Sequence, residues 1–330
     1  ISHQMEQLRI NQRISLSDGR RGQVHKKLGA GGQGSVFMID MDGEKKALKW
    51  YDKAPSERFI TNLQKNIKDG PPSDIFLWPE AMTRRFADGI GYIMPLCPDG
   101  YHEFSKFRLA KVRFSSFRAV LTAAIETCEA FRQLHARGLS YQDLNDGGFF
   151  INPKTGRVKI CDCDNVFPHG DSSGIIGKAR YVAPEVVSGK NLPDSYSDRF
   201  SMALIIFMFF CIDHPFEGKN VVKYPCLTED IERRVFSEDL CFIFNPHDNA
   251  NRPVANVHGN AIRMWALMPK ILQRLFIHEF GKDKIDHPQQ RLTELEWKEI
   301  LTFARDELVR LPSCGDEVFT DHPCLNLSLI

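Results

Sequence analysis

A glycine-rich turn between two strand-like segments is the feature that most limits how this chain can fold. The turn reads GAGGQGSV over Gly29–Val36, and residues 22–51 as a whole read as strand, glycine turn, strand, hairpin and strand. Asp42-Gly43 between two apolar segments is a strong two-residue hairpin signal. The pattern predicts a β-rich first segment in which the glycine loop forms a flap.

Several classes of protein use glycine loops of this kind. In a dinucleotide-binding fold the loop opens a helix, and Asp52 lies at about the distance of the ribose-binding acid, but a hairpin follows here. A Walker loop needs Gly-Lys-Ser/Thr, which this segment lacks. A glycine-rich turn without a ligand stays open from this segment alone. The strand–loop–strand order favours a flap over nucleotide phosphates, because glycine lets backbone amides approach them.

The strand after the flap contains a lysine, Lys49, in the segment Ala-Leu-Lys. An isolated lysine on a strand is usually a solvated side chain. A lysine on the strand that follows a glycine flap can reach the α- and β-phosphates of a nucleotide. Phosphate contact is therefore the favoured interpretation of Lys49.

The rest of the chain has a helical pattern. Apolar residues at helical spacing predict helices over Ser56–Lys68 and Ser115–Arg137. Further helices are predicted at Asp198–Ile212, Met264–Phe280 and Thr293–Leu308. The sequence therefore predicts an α+β fold with a small β-rich first lobe and a larger helical second lobe.

Charge and hydropathy exclude several function classes. The chain has 330 residues and a formal net charge of +1, so no overall field favours nucleic acid or an anionic membrane. The most apolar segment, Ala203–Ile212, is too short to span a bilayer. We expect a cytoplasmic protein that binds neither nucleic acid nor membrane.

Ordered motifs over residues 22–310 resemble those of the protein-kinase superfamily, in its eukaryotic-like (Hanks-type) serine/threonine form. Asp143 stands in Tyr-Gln-Asp, where this family has His-Arg-Asp, and Asp162 stands at the aspartate of Asp-Phe-Gly. Glu185 ends an Ala-Pro-Glu segment, and Asp198 lies at the start of the central helix. Each motif is modest alone, but the ordered set is very hard to reach by chance.

The resemblance implies a bilobal protein-kinase-like fold and transfer of the γ-phosphate of ATP to serine or threonine of a protein. Asp143 would be the catalytic base, with Asn145 beside it in the catalytic loop, and Lys49 would hold the phosphates. Asp162 would bind Mg2+, with Mn2+ as an alternative. The residues implied to contact ATP are Gly29, Ala30, Gly31, Gly32, Gln33, Gly34, Ser35, Val36, Ala47, Lys49, Met94, Pro95, Leu96, Cys97 and Phe150.

The resemblance also implies structural roles in the second lobe. Glu185 and Arg291 would form a buried ion pair, and Asp198 would accept hydrogen bonds from the catalytic-loop backbone. Small-molecule kinases generally lack the Ala-Pro-Glu segment and the helices after it. Protein substrates are therefore favoured.

The sequence departs from the family pattern at several positions of the site. Gly148 stands where the family has a metal-binding asparagine, so Asp164 is predicted as a second metal ligand. Asn145 replaces the lysine near the γ-phosphate. Glu57, the only acid on the helix predicted over residues 56–68, is a tentative partner of Lys49, although a solvated first-turn residue is at least as good an interpretation.

Two other functions stay open because of these departures. One is a pseudokinase that binds nucleotide or acts as a scaffold, and a less favoured one is a small-molecule kinase. The segment Phe76–Pro79 (FLWP) and the YxD and DxDN motifs are similar to a bacterial branch of kinases found beside von Willebrand A proteins and metal-dependent protein phosphatases. Proteins of those two kinds are accordingly implied as partners.

The predicted organisation has four parts. Residues 1–21 are an N-terminal extension, and residues 22–96 form the first lobe. Residues 97–310 form the second lobe with an insertion at about 217–271, and residues 311–330 are a C-terminal tail.

Overall fold

The computed structural model describes residues 8–322 and Leu325, and the chain divides into two compact units. Unit 1 comprises the described residues up to Asp99 together with Ile160–Asp164. Unit 2 comprises Gly100–Lys159 and the described residues from Asn165 onward. Unit 1 is rich in strands and unit 2 is mainly helical, which confirms the predicted α+β fold.

Unit 1 is built on an antiparallel sheet. Its described elements are β1 (Arg13–Ser15), β2 (Arg21–Ala30), β3 (Ser35–Met41), β4 (Glu44–Tyr51), α1 (Glu57–Asp69), β5 (Ala81–Met82) and β6 (Ile90–Pro95). The strands lie in the order β1-β2-β3-β4-β6-β5. The predicted hairpin joins β3 to β4, and its Asp42 and Gly43 have φ angles of 55° and 86°. Two positive φ angles suit the right-handed twist of paired strands, and Asp-Gly adopts them readily.

Helix α1 follows β4, and both of its ends lie one residue later in the chain than predicted. The Ser56 side chain accepts a hydrogen bond from the backbone N–H of Phe59 at 3.2 Å and so caps the first turn. Gly70, with φ of 76°, ends the helix. The buried side chains of α1 are Phe59, Ile60, Leu63 and Asn66.

The N-terminal boundary differs from the prediction. Residues 13–15, predicted as part of an extension, form β1 and pair with β2, and Ile14 and Leu16 are buried in the core of the sheet. Apolar residues at alternating positions suit an edge strand with one buried face. The sheet therefore begins before residue 22.

Unit 2 is mainly helical, with short strands near its loops. Its described helices are α2 (Phe104–Arg108), α3 (Phe117–Ala136), α4 (Pro184–Val187), α5 (Ser195–Cys211), α6 (Lys219–Val222), α7 (Glu229–Val235), α8 (Gly259–Leu267), α9 (Lys270–Glu279), α10 (Lys282–Ile285) and α11 (Glu294–Asp306). Its described strands are β7 (His102–Glu103), β8 (Leu139–Ser140), β9 (Phe149–Ile151), β10 (Val158–Ile160), β11 (Phe167–Pro168), β12 (Val309–Arg310) and β13 (Glu317–Val318). Turns of 3-10 helix cover Asp146–Gly148, Cys163–Asn165 and Pro288–Gln290.

Helix α5 is the buried centre of unit 2. Its N-terminus has a capping box in which the Asp194 side chain accepts from the Ser197 backbone N–H and the Ser197 hydroxyl oxygen accepts from the Asp194 backbone N–H. Nearly every residue from Phe200 to Cys211 is buried. A helix that is apolar all round is a core helix, as the sequence predicted.

One predicted helix is two helices. The segment Met264–Phe280 was expected to be continuous, but α8 ends at Leu267 and α9 begins at Lys270. Pro269 lies at the junction, and proline both lacks an N–H and disfavours a helical residue before it. The prediction gave the apolar spacing more weight than this proline.

The predicted insertion braces the core. Phe242 packs edge-on against Phe207 of α5, with ring centroids 5.5 Å apart. The buried Asn251 side chain accepts from the backbone N–H groups of Gly218 and Asn220 and donates to the Cys241 carbonyl. The asparagine also donates to the Phe216 carbonyl, so this one side chain satisfies four separate backbone groups, and its role is structural.

The described part of the predicted tail packs on α3. Strand β13 pairs with β12, and Glu317 accepts from the guanidinium of Arg118 at 2.7 and 2.8 Å. The rings of Phe117 and Phe319 lie 4.8 Å apart. Across residues 8–322, no helix has the length and apolar character that crossing a membrane requires.

Candidate active site

Strand β4 presents its lysine on the face of the sheet opposite the apolar core. Leu48 and Trp50 are buried in the core cluster of unit 1. Because successive side chains on a strand alternate, Lys49 lies on the other face. In the strand register, Val36 of β3 and Tyr92 of β6 stand directly across from Lys49. This second face therefore brings predicted nucleotide residues together on one rigid surface.

The glycine loop connects β2 to β3 as a tight turn. The Gly31 N–H donates to the Gly34 carbonyl at 2.8 Å. A Cβ on Gly34 would lie 2.3 Å from the Trp50 carbonyl oxygen, whereas a Cβ on Gly31 or Gly32 would meet no described atom within 4 Å. Gly34 is thus required by the close approach of β4, while Gly31 and Gly32 leave the outer side of the turn bare. A turn without side chains on its outer side lets a phosphate approach the backbone closely, as a phosphate-binding flap requires.

Lys49 lies in a buried cluster with two carboxylates and a phenol. Its Nζ is 2.7 Å from Asp164 Oδ2 and 3.6 Å from Asp162 Oδ1. The Tyr51 hydroxyl donates to the same oxygen of Asp164. Asp164 is fully buried, whereas the Asp162 side chain is 34% exposed. The two carboxylates therefore have different surroundings although one residue separates them.

The charges in this cluster fix the protonation of its cation and phenol. Burial disfavours the Lys49 ammonium, but the negative charges of Asp164 and Asp162 outweigh burial and raise the pKa of Lys49 above its ordinary value. Burial raises the pKa of Tyr51 well above its ordinary value, and the Asp164 charge raises it further. At neutral pH the lysine is a cation and the tyrosine a neutral donor.

Glu57 does not pair with Lys49, contrary to the tentative prediction. Its side chain is 81% exposed and lies 2.6 Å from Arg85, which is also exposed. Glu57 is the first residue of α1, and the buried face of that helix begins only at Phe59. The alternative interpretation, a solvated residue of the first turn, fits these contacts.

Asp164, predicted as a second metal ligand, has one buried oxygen, Oδ1, without a hydrogen-bond partner among the described residues, and that role stays a prediction. One of its oxygens is taken up by Lys49 and Tyr51, and no solvent reaches the side chain. Asp162, by contrast, is partly exposed, and its backbone has a φ of 57°. A non-glycine residue in this left-handed region is strained, and such strain clusters at functional sites.

The donor set fits a magnesium ion held through one protein carboxylate. Mg2+ is usually bound by one or two carboxylates together with substrate phosphates. Asp162 offers a carboxylate that a ligand can reach. In the part of the chain that the structure describes, no three His, Cys, Asp or Glu side chains converge as a metal cluster. Most ligands would therefore have to come from the phosphates and water.

The predicted adenine-edge segment continues from β6. Met94 is buried and lies across from Ala47 in the strand register. Pro95 ends the strand, and Leu96 and Cys97 follow it with half-buried side chains. This places the segment on the same strand row as Ala47, the predicted adenine contact.

In unit 2, a buried aspartate organises the catalytic loop. Asp198 accepts from the backbone N–H of Tyr141 at 2.7 Å and of Gln142 at 2.9 Å. Gln142 has a φ of 73°, a second strained residue at a predicted site position. Its side chain donates to the Asp171 carbonyl at 2.7 Å, so a neutral group links the loop to the segment that follows β11.

Asp143 is fixed by hydrogen bonds to its carboxylate and to its backbone carbonyl. Asn165 Nδ2 donates to Asp143 Oδ2 at 3.2 Å, and the Asn165 side chain is almost fully buried. A Cβ on Gly177 would lie 2.9 Å from Asp143 Oδ1, so a larger residue at this position would have to displace the end of the Asp143 side chain. The Asn145 side chain donates to the Asp143 carbonyl at 3.2 Å and accepts from the Gly147 N–H. Two carboxamides thus fix the loop and orient its carboxylate.

The second acidic residue of the catalytic loop, Asp146, forms an ion pair with Arg108. Asp146 lies 3.5 Å from Arg108 of α2, and Arg108 also donates to the Tyr181 hydroxyl at 3.1 Å. Gly148 is buried at the end of the 3-10 turn. Phe150 follows on β9, half-buried and across from Glu103.

A charged histidine, His135, forms a hydrogen bond with the Asp198 carboxylate. His135 Nε2 lies 2.8 Å from Asp198 Oδ2, and its Nδ1 contacts Glu294. Burial disfavours the imidazolium, but hydrogen bonds with Asp198 and Glu294, and their charges, raise the pKa of His135 to about 9. The imidazolium therefore donates to both carboxylates at neutral pH.

The predicted pair of Glu185 and Arg291 is present in the structure. Arg291 donates to the two Glu185 oxygens at 2.7 and 2.8 Å and to the Tyr196 carbonyl at 3.0 Å. The Arg291 side chain is 2% exposed. A bidentate geometry with an added backbone acceptor is what a buried guanidinium needs.

Each unit thus gathers part of the predicted set. Unit 1 places Lys49 beside Asp162, and unit 2 places Asp143 beside Asn145. Sequence reasoning missed three contributors: Tyr51, Asn165 and His135. Asn165 follows the second aspartate of Asp-Cys-Asp directly, and this adjacency was the signal that could have identified it.

Comparison with known proteins agrees with these motifs. The family model described as a protein kinase domain matches residues 23–240. The chain is 28% identical to the rat protein kinase C delta type over 206 residues, which cover 59% of this chain and 30% of that protein. It is 25% identical over 227 residues to a probable serine/threonine-protein kinase of Corynebacterium efficiens, covering 64% of this chain and 34% of that protein.

A further bacterial relative shares a shorter segment. The chain is 30% identical over 115 residues to the probable serine/threonine-protein kinase PknB of Corynebacterium glutamicum, covering 32% of this chain and 18% of that protein. The matches span about a third or less of the length of these curated relatives.

Proposed function

The chain belongs to the protein kinase family, and from that premise we propose that it transfers the γ-phosphate of ATP to serine or threonine side chains of a protein substrate, with Mg2+ as the metal. The observation that carries this proposal is the placement of Lys49 3.6 Å from Asp162, whose carboxylate a ligand can reach. A cation beside an accessible carboxylate on a sheet with a glycine flap suits a metal–phosphate group.

Unit 1 would bind the nucleotide. Lys49 would neutralise charge on the α- and β-phosphates, and the backbone of the loop over Gly31–Ser35 would cover the phosphate chain. Asp162 holds Mg2+, which supplies charge neutralisation on the phosphates when it is bound. Val36, Ala47 and the Met94–Cys97 segment contact the adenine.

Asp143 would accept the proton of the substrate hydroxyl. Its Oδ2 is fixed by Asn165, and a neutral donor orients the carboxylate without neutralising it. A positioned general base of this kind contributes roughly 10²–10⁴-fold to a rate. Asn145 keeps the loop in shape by bonding the Asp143 carbonyl and the Gly147 N–H.

Activation without loop phosphorylation follows from Gln142. Where the family has an arginine that pairs with a phosphate, this chain has a neutral amide already bonded to the Asp171 carbonyl. An amide offers a phosphate no charge. We expect the segment near Ser172 to be held through backbone hydrogen bonds instead.

A protein is the favoured acceptor. The Glu185–Arg291 pair braces the Ala-Pro-Glu segment, a part that small-molecule kinases generally lack. The resemblance to a bacterial branch further implies von Willebrand A-type proteins or metal-dependent phosphatases as partners.

The test is an acceptor panel with labelled ATP. The purified chain is incubated with γ-labelled ATP and Mg2+ or Mn2+, and with a protein mixture, small alcohols or small amines as acceptors. Label on phosphoserine or phosphothreonine is expected. Label on a small molecule alone would overturn the choice of acceptor. Stabilisation by ATP without any transfer would favour the pseudokinase, which Gly148 otherwise suggests.

A further inference from the structure

Lys49 needs a buried anion, and helix α1 does not supply one. All residues of α1 are described, and its buried side chains are Phe59, Ile60, Leu63 and Asn66. Its first residue, Glu57, is paired with Arg85 in solvent. The contribution of α1 near the cluster is apolar, since the Phe59 ring packs edge-on against Tyr51 with centroids 6.0 Å apart.

Asp164 has the properties of the missing partner. It is fully buried, its Oδ2 lies 2.7 Å from Lys49 Nζ, and the Tyr51 hydroxyl donates to the same oxygen. Asp162 lies farther from Nζ, at 3.6 Å, and faces solvent in part. The nearer carboxylate is inaccessible to a ligand, and the accessible one is farther from the lysine.

We propose that Asp164, and not an acid of α1, is the residue that positions Lys49 for phosphate contact, with Tyr51 holding the Asp164 carboxylate. The proposal deepens the proposed function and rests on it for the role of Lys49. It assigns Asp162 to the metal and Asp164 to the lysine. Since Lys49, Tyr51 and Asp164 lie on β4 and the segment after β10, the setting of Lys49 does not depend on a charge carried by α1.

The direct test measures the titration of Lys49 without nucleotide and without turnover. Competitive acetylation over a pH series, followed by peptide mass spectrometry, gives the pH midpoint of each lysine whatever its access to the reagent. In the wild type, the Lys49 midpoint is expected above the ordinary lysine value, because the buried Asp164 carboxylate lies 2.7 Å from Nζ. Exposed Lys45 serves as the internal reference.

Asp164→Asn is expected to lower the Lys49 midpoint by about one pH unit or more, because an opposite charge at this distance shifts a titration by roughly 1–3 units. Glu57→Gln is expected to leave it unchanged. Tyr51→Phe keeps every charge and is expected to keep the midpoint high. An unchanged midpoint in Asp164→Asn, or a fall in Glu57→Gln, would overturn the proposal.

Two further measurements keep the result interpretable. If Asp164→Asn does not fold, Asp162→Asn is used, and the Lys49 midpoint should stay above the ordinary value because Asp164 remains; a fall below it would contradict the proposal. In the transfer assay, Asp164→Asn should raise the KM for ATP about tenfold. Failure of the wild type to transfer phosphate would contradict the proposed function. The titration of Lys49 would still show whether Asp164 is its partner.

Discussion

The Lys49 cluster and the Asp143 loop each lack a side chain that the kinase resemblance implies, and the central group of each is bonded by a different kind of partner. Beside Lys49, where a helix glutamate was expected, the structure has a second charge, the buried carboxylate of Asp164. Beside Asp143, where Gly148 offers no side chain, it has a neutral carboxamide from Asn165.

The chemistry of the two central groups accounts for this difference. A buried ammonium is stable as a cation only with an anion close by, so Lys49 requires a carboxylate. A general base must stay available to a proton, and a neighbouring cation would hold its charge too firmly. A carboxamide orients Asp143 and leaves its charge intact. The lysine is therefore matched with a charge, whereas Asn165 gives the base a neutral hydrogen bond.

Removing one partner of the Lys49–Asp164 ion pair should give the largest loss of stability among these changes. Asp164→Asn strands the Lys49 ammonium in a buried position, which we expect to cost roughly 3 kcal/mol, at the low end for a broken buried pair because Asp162 remains nearby. Urea unfolding measures this loss. The double variant Lys49→Met/Asp164→Asn, which removes both charges, should recover at least half of it. No recovery would mean that packing, and not charge, explains the cost.

The stabilisation that the charged His135 gives to Asp198, behind the Asp143 loop, should depend on pH. The pKa of His135 is raised from its ordinary value of 6.5 to about 9. The stabilisation is thus complete below pH 6.5 and is lost as pH rises through about 9. We expect a loss of up to about 3 kcal/mol in the free energy of unfolding across that window.

Urea unfolding at pH 6.5 and pH 9.5 measures this loss. His135→Gln should remove most of the pH dependence in this range. His25→Gln, a change at an exposed histidine, is the matched control and should behave like the wild type. Equal pH dependence in His135→Gln and the wild type would exclude the charged histidine as a support of the loop.

A change of charge at Asn165 sharpens the comparison directly. Asn165→Asp puts a second carboxylate beside Asp143, which makes protonation of the base easier. We expect the acid limb of the pH profile of kcat/KM to move to higher pH, and Asn165→Ala to lower kcat about tenfold through loss of one hydrogen bond to a charged group. Asn191→Asp, at an exposed position, is the control. An unmoved acid limb would reduce Asn165 to a packing residue.

The smallest effect is expected at Glu57. Its ion pair with Arg85 is solvent-exposed, and such pairs contribute about 0–1 kcal/mol. Glu57→Gln should change neither the free energy of unfolding nor the KM for ATP within error. A large rise in that KM would place the partner of Lys49 back on α1.

The sequence predicted the elements better than it predicted contacts across them. Strand β4 and helix α3 followed from alternation and helical spacing, and the Asp198 contacts with the loop backbone were expected from the motif order. The pairing of Lys49 with Asp164 could not be predicted from alternation, helical spacing or motif order. It joins residues 115 positions apart, and which of two nearby carboxylates turns inward depends on the backbone after β10.

The choice between Glu57 and Asp164 shows the physical reason. Helical spacing identified the apolar face of α1, and Glu57 precedes that face. An exposed Glu57 was therefore one of the two interpretations that the pattern allowed. Asp164 is buried two residues after Asp162, whose φ of 57° no sequence pattern indicates. Local pattern reasoning therefore located the site and did not assign its charges.

The most direct test of the central claim, that this chain transfers phosphate with Asp143 as its base, is the rate of γ-phosphate transfer by the wild type and by Asp143→Asn at equal ATP occupancy. Thermal stabilisation by ATP fixes that occupancy for both proteins. We expect phosphoserine or phosphothreonine from the wild type and a rate lower by roughly 10²–10⁴-fold in the variant. Equal rates, or no transfer by a wild type that binds ATP, would contradict the claim.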